Sequence, residues 1–367
     1  MKYRFDKIAF NSTAKKTPTE SDKEHYIGLE HIDGECLEIT RWGSDVAPIG
    51  EKLIMKKGDV LFGKRRAYQR KLAIAPFDGI FSAHGMVLRP NEEVVDKNYF
   101  PFFMSSDLFM ERAVQISVGG LSPTINWKDL REQEFPLPSL AEQKVLADKL
   151  WAAYRLKESY KKLLLATEEM VKSQFIEMFG NPVTNNKGWN TLPIKDVAPE
   201  TSSLEKQTGK VWILNLDMIE SNTGKVVEKV FENDSNLLSV APFDEGNVLY
   251  SKLRPYLNKV VIPDGKGYAT TELVPLRPNQ KLLNLTFFSH LLRGDDFVTY
   301  ANSISTGTKM PRMPLNDLRK FQCILPPMEK QNEFEEIAHQ ADKSGFELRK
   351  SIEAIDKVIK SLVNVNL

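Results

Sequence analysis

The sequence is poor in cysteine and histidine, which limits the chemistry it can carry. Its 367 residues include 2 cysteines, Cys36 and Cys323, and 5 histidines at positions 25, 31, 84, 290 and 339. Two cysteines are too few for a disulfide framework and indicate a reducing compartment. No two histidines stand at the spacing of a metal site, and there is no Cys-x-x-Cys, so the sequence predicts no metal centre.

Long apolar runs and an excess of one charge are also missing. No run approaches the length of a membrane span, and the charged start at residues 1–6 is unlike a signal peptide, so we expect a soluble cytoplasmic protein. Lysine and arginine total 50 against 49 aspartate and glutamate, a net charge of +1. Any nucleic-acid site must therefore be a local basic patch.

The motifs of a self-sufficient DNA-modifying enzyme are absent. We find no Asn-Pro-Pro-Tyr/Phe of an adenine methyltransferase and no Gly-x4-Gly-Lys-Ser/Thr phosphate loop. A nuclease or methyltransferase acting alone would need such a motif. The sequence thus offers no catalytic residues and no cofactor-binding residues of its own.

What the sequence does contain is an internal repeat. With one constant offset, residues 58–143 align without a gap on residues 246–331. The identical pairs include Gly58/Gly246, Val60/Val248, Leu61/Leu249, Lys64/Lys252, Arg66/Arg254, Tyr68/Tyr256 and Lys71/Lys259. Chance does not keep one register over such a span, so the chain is an internal duplication. Its length, with 41% hydrophobic residues, suits two or three domains.

Each half ends in a segment with the pattern of a long helix, at residues 139–180 and 328–367. In the first, Ser139 and Glu142 form a capping-box signature, and Gly180 suits the left-handed stop conformation. Apolar residues recur on a seven-residue repeat in both, interrupted in the first by Lys157, Thr167 and Gln174. Roughly 40 residues make a rod of roughly 60 Å, and we predict that the two rods pair as an antiparallel coiled coil.

The rest of each half is predicted to be a mixed globular domain, at residues 1–138 and 181–327. Short strands are expected at 26–32, 58–62 and 72–75, with helices at 99–117, and their counterparts at 212–216 and 248–250 repeat the plan. The predicted fold class is α+β: two similar domains separated and followed by long helices, related by a pseudo-two-fold axis.

This arrangement resembles the DNA specificity subunit of type I restriction-modification systems, on the strength of the duplicated order of motifs. Those motifs are Gly-Asp-Val-Leu-Phe-Gly-Lys-Arg-Arg from Gly58, its counterpart from Gly246, and the helix entries Leu137-Pro and Leu325-Pro. The resemblance implies a non-catalytic chain whose two target-recognition domains each bind one half of a split DNA target. It also implies partners: methyltransferase subunits, expected to be two, and restriction subunits in some complexes. S-adenosylmethionine would belong to the former and ATP to the latter.

Basic residues between two predicted strands are the first candidates for contact with DNA. Cations at the same place in both copies suit two sites that hold the phosphate backbone, and an aromatic can pack on sugar or base. The candidates are Lys64, Arg65, Arg66, Tyr68, Arg70 and Lys71 in the first half, and Lys252, Arg254, Tyr256 and Lys259 in the second. The structural alternative is a solvated hairpin.

A second candidate in each half is a Gly-rich loop, at residues 119–124 and 306–312. Such loops let a backbone approach a groove closely, and the second one adds Thr308, Lys309 and Arg312. A simple turn before the following helix explains the same pattern. His84 and Glu272 occupy equivalent positions but differ, which suits either distinct base contacts or an ordinary surface change.

The main competing hypothesis is a coiled-coil scaffold that binds only proteins. It would account for the long helices but leaves the matched basic loops without a purpose. Apolar residues off the heptad stripe, Leu163, Met170, Phe175 and Phe179, could dock partner subunits or cover the adjoining domains. The sequence leaves these two alternatives open.

Overall fold

A computed structural model of the chain describes residues 1–200, 209–233 and 240–364. The fold is α+β, as predicted, and it divides into two compact units. The first comprises residues 1–161 together with the segment from Lys350 onward, and the second comprises residues 162–349. Residues 365–367, which the sequence assigns to the second long helix, lie outside the described residues, as do 201–208 and 234–239 of the second predicted domain.

In the first unit, short strands form two four-stranded sheets and one two-stranded ribbon. The sheet orders are β2-β9-β6-β7 and β3-β5-β8-β4, and the ribbon is β1-β10. The strands are β1 (Lys2–Arg4), β2 (Ala9–Ser12), β3 (Lys15–Lys16), β4 (Tyr26–Ile27), β5 (Lys52–Met55), β6 (Val60–Phe62), β7 (Leu72–Ile74), β8 (Gly79–Phe81), β9 (Met86–Pro90) and β10 (Glu134–Pro136). The helices are α1 (Phe5–Ile8), α2 (Phe100–Ser105), α3 (Asp107–Gln115), α4 (Trp127–Leu130) and the long α5 (Leu140–Phe179).

The second unit repeats this plan. Its sheets have the orders β13-β12-β17-β14 and β16-β15-β18, with the ribbon β11-β19. The strands are β11 (Thr191–Pro193), β12 (Lys210–Leu214), β13 (Val230–Asn233), β14 (Val240–Phe243), β15 (Val248–Ser251), β16 (Val260–Val261), β17 (Gly267–Thr270), β18 (Leu273–Leu276) and β19 (Gln322–Ile324). The helices are α6 (Ile194–Val197), α7 (Leu285–Arg293), α8 (Asp295–Ser303), α9 (Leu315–Lys320) and the long α10 (Met328–Asn364).

Sheet topology confirms the duplication. β4 pairs parallel with β8, and β5 pairs antiparallel with that same β8. In the second unit β12 pairs parallel with β17, and β14 pairs antiparallel with it. The strand predicted at 26–32 was too long, because only Tyr26–Ile27 is extended and Leu29–His31 is a 3-10 turn. His31 closes that turn, because its Nδ1 accepts a hydrogen bond from the Gly28 amide. The counterpart strand predicted at 212–216 also ends early, at Leu214, and Leu216–Met218 is a 3-10 turn.

The start of α5 confirms the predicted capping box. The Glu142 carboxylate accepts from the Ser139 amide at 2.8 Å and from its hydroxyl at 2.7 Å. Gly180 ends the helix with a φ of +73°. Within the first unit, Lys157 of α5 pairs with Asp356 of α10 at 2.7 Å. Lys157 interrupts the heptad stripe in sequence, yet it lies buried with an acidic partner.

Aromatic residues of α5 settle one alternative in the second unit. Phe175 and Phe179 are buried, and both rings contact Phe287 of α7 and Phe334 of α10. They therefore cover the adjoining domain. Leu163 and Met170 remain exposed on the surface of the helix. Arg349 of α10 donates to the Glu168 carboxylate of α5 at 3.2 Å, which joins the two helices within this unit.

A fully buried glutamine ties each globular domain to the first turn of its long helix. Gln143 accepts from the Asp96 amide at 2.8 Å and donates to the carbonyls of Val94 and Pro138 at 3.1 and 2.9 Å. Its repeat partner makes the same three bonds: Gln331 accepts from the Asn284 amide at 2.9 Å and donates to the carbonyls of Leu282 and Pro326 at 3.0 and 2.8 Å.

Candidate nucleic-acid interface

The basic segment of the first unit is a tight turn between two antiparallel strands. Residues 63–71 connect β6 to β7, with Phe62 opposite Leu72. A 3-10 turn, Ala67–Gln69, is flanked by Arg66 and Arg70 at φ values of +57° and +51°. The left-handed region is uncommon for arginine. Hydrogen bonds from the Gln69 amide to the Arg66 carbonyl and from the Arg70 amide to the Ala67 carbonyl, both 2.9 Å, hold the turn in this shape.

The second unit has the same turn. Pro255–Leu257 forms the 3-10 segment, and the flanking residues Arg254 and Asn258 have φ values of +49° and +48°. In both units this geometry leaves the central tyrosine exposed, Tyr68 in one and Tyr256 in the other. The duplication therefore extends to strained backbone conformation, which residue identity alone does not reveal.

The Gly-rich loop lies directly against the basic turn in each unit. The Arg66 amide donates to the Pro123 carbonyl at 2.7 Å, and the Ile125 amide donates to the Lys64 carbonyl at 2.9 Å. In the second unit the Arg254 amide donates to the Pro311 carbonyl at 2.7 Å, and the Met313 amide donates to the Lys252 carbonyl at 2.9 Å. The two separate candidates from the sequence thus form one surface. We call this surface, residues 64–71 with 118–125 or 252–259 with 306–313, the paired-loop surface.

On the paired-loop surface of the first unit, Lys64, Arg65 and Arg66 form no ion pair with any described residue. Arg65 and Arg66 are exposed, and the Arg66 guanidinium donates to the Ser122 hydroxyl at 3.1 Å through Nη2. Lys64 is half-buried, and burial lowers its pKa, helped by the charge of Lys15. A cation that has lost part of its hydration gains from an anion placed beside it.

Two other basic side chains of this turn bind other residues of the first unit. Arg70 donates to the Ser105 carbonyl at 2.7 Å and pairs with Asp107 at 2.8 Å. Lys71 donates to the Leu29 carbonyl at 2.5 Å. The prediction that these cations are free to meet phosphates is therefore wrong, because both already bind within the unit.

The second unit shows the same division. Lys259 donates to the Leu216 carbonyl at 2.6 Å, as Lys71 does in the first unit, so it too is engaged in the fold. Asn258 replaces Arg70 and donates to the Arg293 carbonyl at 2.8 Å. Thr308 and Lys309 are exposed at the tip of the loop.

Three basic residues of the second turn and loop differ in their exposure and in their side-chain partners. Lys252 and Arg254 are half-buried, and among the described residues the buried Nε of Arg254 has no hydrogen-bond partner. Arg312 is exposed but forms an ion pair with Glu272 at 3.0 Å. Sequence comparison marks Glu272 only as the counterpart of His84, and no spacing signal connects it to Arg312.

Exposed apolar residues beside these cations were not predicted from the sequence. Leu121 lies on the Gly-rich loop of the first unit, Val118 directly precedes that loop, and Met310 lies on the loop of the second unit. Apolar side chains at such positions can contact sugars or thymine methyl groups. A signal was present: Leu121 lies between Gly120 and Ser122, where a plain turn has no need of an apolar residue.

Other kinds of site find no support in the part of the chain that the structure describes. Those residues contain no group of three or more His, Cys, Asp or Glu side chains placed to bind a metal ion. None of their helices combines the length and hydropathy that crossing a membrane requires. Both cysteines are free, and burial raises the pKa of the Cys323 thiol far above its ordinary value.

Comparisons with known proteins agree with this duplicated architecture. A family profile described as type I restriction modification DNA specificity domain matches residues 10–166 and again residues 186–356. The EcoDI specificity subunit of Escherichia coli, a type I restriction enzyme subunit, is 23% identical over 96% of this chain and 84% of its own length. The putative MjaX specificity subunit of Methanocaldococcus jannaschii is 24% identical over 92% of this chain and 85% of its own.

Solved structures show the same fold. The type I restriction-modification S subunit from M. genitalium superposes with a TM-score of 0.59 at 13% identity, covering 99% of this chain and 94% of that one. A chain from a structure of complex assembly in a type I restriction-modification system gives a TM-score of 0.57 at 18% identity, covering 100% and 98%.

Proposed function

This chain belongs to the type I restriction modification DNA specificity family, and we propose that, as the specificity subunit, it binds a DNA target in two halves. Each region matched by the family profile contains one paired-loop surface, and each surface would bind one half-site. The chain itself performs no catalysis.

The observation that carries this proposal is the presence of the same paired-loop surface in both units. Exposed or half-buried cations stand there beside an exposed tyrosine, which suits phosphate contacts with an aromatic packed on sugar or base. We assign phosphate contact to Lys64, Arg65 and Arg66 in the first unit and to Lys252, Arg254 and Lys309 in the second. Arg70, Lys71 and Lys259 are left out because their side chains already bind within the fold.

The long helices would set the distance between the half-sites. α5 has 40 residues, a length of about 60 Å. The contacts of Lys157 with Asp356 and of Glu168 with Arg349 support an antiparallel coiled-coil pairing of α5 with α10, because the α10 partner moves toward its N-terminus as α5 advances. Inserting four residues at Ser159 should change the unspecified gap in the target and leave both half-sites the same.

Methyltransferase subunits, two per chain, are the partners we propose for the exposed apolar face of α5. Leu163 and Met170 stand on that face within the second unit, one heptad apart, and neither is covered. S-adenosylmethionine would be bound by those subunits, and ATP by the restriction subunits where such subunits join the complex. The chain would act in the cytoplasm, where its DNA target lies.

The direct test is to co-express the chain with the methyltransferase subunit encoded beside it and to map modified adenines by single-molecule sequencing. The expected result is a split motif, with two short specific halves around a fixed gap. A stable complex that adds no new modification would refute DNA recognition and favour the coiled-coil scaffold.

A matched pair of variants tests the paired-loop surface itself. Arg66→Ala should weaken binding of the complex to all DNA sequences alike and lower the slope of log affinity against log salt by about 1. Arg131→Ala removes a different exposed arginine of the same unit, which pairs with Glu132 at 3.6 Å and belongs to neither loop, and should leave that slope unchanged. Equal slopes in the two variants would remove Arg66 from the interface.

A further inference from the structure

Among the described residues of the second unit, Arg312 is the arginine of the proposed interface that pairs with a carboxylate, which binds the Nε and Nη2 side of its guanidinium. Its Nε lies 3.2 Å from Glu272 Oε2, and its Nη2 lies 3.0 Å from Glu272 Oε1. Both side chains stay partly open to solvent, 45% for Arg312 and 26% for Glu272. The pair therefore lies at the surface with a defined geometry.

This pair stands on the paired-loop surface. The main chain of Arg312 forms an antiparallel β-bridge with Leu253 of the basic turn, and the Lys252 amide donates to the Glu272 carbonyl at 3.1 Å. The first unit has the equivalent main-chain β-bridge, between Arg65 and Thr124, although there the amide that donates to the His84 carbonyl is that of Arg65, at 3.4 Å, one position later along the turn. The side chains differ, because Thr124 and His84 stand where the second unit has Arg312 and Glu272.

The hydrogen-bonding capacity of Arg312 is only partly used by Glu272. A guanidinium has five N–H groups, and the carboxylate takes one from Nε and one from Nη2. Within the described residues, no other partner is present for the remaining N–H of Nη2 or for the two of Nη1. Those remaining donors form the outer edge of the guanidinium, which has the spacing that binds guanine O6 and N7 together.

The Glu272 carboxylate also favours contact of Arg312 with a base over contact with a phosphate. Glu272 places a negative charge beside Arg312, which disfavours a phosphate at the same spot by like-charge repulsion. A base edge carries no net charge and avoids that repulsion. Restraining the guanidinium before DNA arrives also lowers the conformational entropy lost on binding.

We propose that Arg312 reads a guanine in the half-site of the second unit and that Glu272 is its positioning residue. The inference rests on the proposed function and assigns one base contact within it. The first unit has no such pair, so the contact belongs to one half-site alone.

The test compares Arg312→Lys and Glu272→Ala, each co-expressed with the methyltransferase subunit, by mapping the modified motif and by binding of the purified complex. Lysine keeps the positive charge but loses the paired donors. Replacing the guanine in the half-site of the second unit should weaken DNA binding by the wild-type complex roughly 5- to 150-fold, the range of one good two-donor base contact. Arg312→Lys should abolish most of that discrimination and keep the salt dependence, while the first half-site is unchanged. Glu272→Ala should reduce the discrimination in part.

Glu200→Ala is the matched control. Glu200 holds Arg319 in the same manner, at 2.6 Å from Nε and 3.2 Å from Nη2, with side-chain exposures of 46% for the arginine and 31% for the glutamate. This variant should leave the motif unchanged. If Arg312→Lys keeps the wild-type motif, or if Glu272→Ala behaves as Glu200→Ala does, the inference is overturned and the proposed function stands. If wild type itself yields no split motif, both fail together.

Discussion

Replacing Gln143 with leucine should open the junction between the first globular domain and α5. Leucine has a similar volume but neither accepts nor donates a hydrogen bond. The substitution therefore leaves the Asp96 amide and the carbonyls of Val94 and Pro138 without their hydrogen bonds to Gln143, which are 2.8 to 3.1 Å long. Gln143 itself is fully buried, so the stranded groups face an apolar side chain.

The expected loss follows from counting these groups. Each buried polar group left without a partner costs about 1–3 kcal/mol. Three groups at the low end of that range give about 3 kcal/mol, which allows for some entry of water. That is a large share of the roughly 5–15 kcal/mol that stabilises a typical domain.

Native-state hydrogen exchange of the Asp96 amide measures this loss locally. A cost of about 3 kcal/mol corresponds to exchange roughly 150-fold faster, at tenfold per 1.4 kcal/mol. Gln331→Leu should do the same to the Asn284 amide, which donates to Gln331, and should leave Asp96 slow. The repeat thus supplies a replicate of the experiment in the second unit.

Gln115→Leu controls for the change of side chain, since Gln115 lies exposed at the end of α3. It should leave the Asp96 exchange rate within about twofold of wild type, as expected for a surface substitution. The structural role assigned to Gln143 is refuted if Gln143→Leu speeds Asp96 exchange by less than about fivefold, or if it speeds Asn284 equally.

Three further stability predictions concern charged groups of the long helices. Asp356→Ala should cost about 1–2 kcal/mol in urea unfolding, less than a fully buried pair, because Asp356 is 43% exposed although Lys157 is only 8% exposed. Lys157→Met should change the unfolding free energy by less than about 1 kcal/mol, and a large loss there would show that the ion pair itself stabilises the fold. Burial raises the pKa of the Asp342 carboxyl, so the folded state binds this proton more tightly and loses stability as pH rises above about 4. Asp342→Asn should therefore stabilise the protein at pH 7 but not at pH 4, and an equal gain at both pH values would count against a titration effect.

Much of the fold could be predicted from local signals and from the repeat. The capping box at Ser139 and the stop at Gly180 are local chemistry, and both are confirmed. Prediction failed at Leu29–His31, where a short apolar run resembles a strand. A hydrogen bond from the Gly28 amide to the His31 ring closes a 3-10 turn there instead. Apolar content alone does not distinguish these two outcomes.

The candidate site could be predicted as two segments but not as one surface. Contact between Arg66 and Pro123 depends on how β6, β7 and the Gly-rich loop fold together, which local sequence does not encode. The left-handed backbone conformation of Arg66 could not be predicted from the sequence either, because arginine rarely adopts it. A weak signal existed at Asn258, the counterpart of Arg70, because asparagine tolerates that conformation better than most residues.

Some residues that are identical in the two halves serve the fold. Lys71 and Lys259 are identical, and both bind a main-chain carbonyl within their unit, as Gln143 and Gln331 also do. At these two pairs, identity between the halves serves the shared fold, although the sequence alone had suggested a shared DNA contact for the lysines.

One difference between the halves, by contrast, lies on the exposed side of the paired-loop surface. His84 and Thr124 are the counterparts of Glu272 and Arg312, while the β-bridge between Thr124 and Arg65 matches the one between Arg312 and Leu253. A shared fold with different surface chemistry predicts two half-sites that differ in sequence. We therefore predict that the target has no twofold symmetry and that the guanine proposed for Arg312 belongs to one half of it.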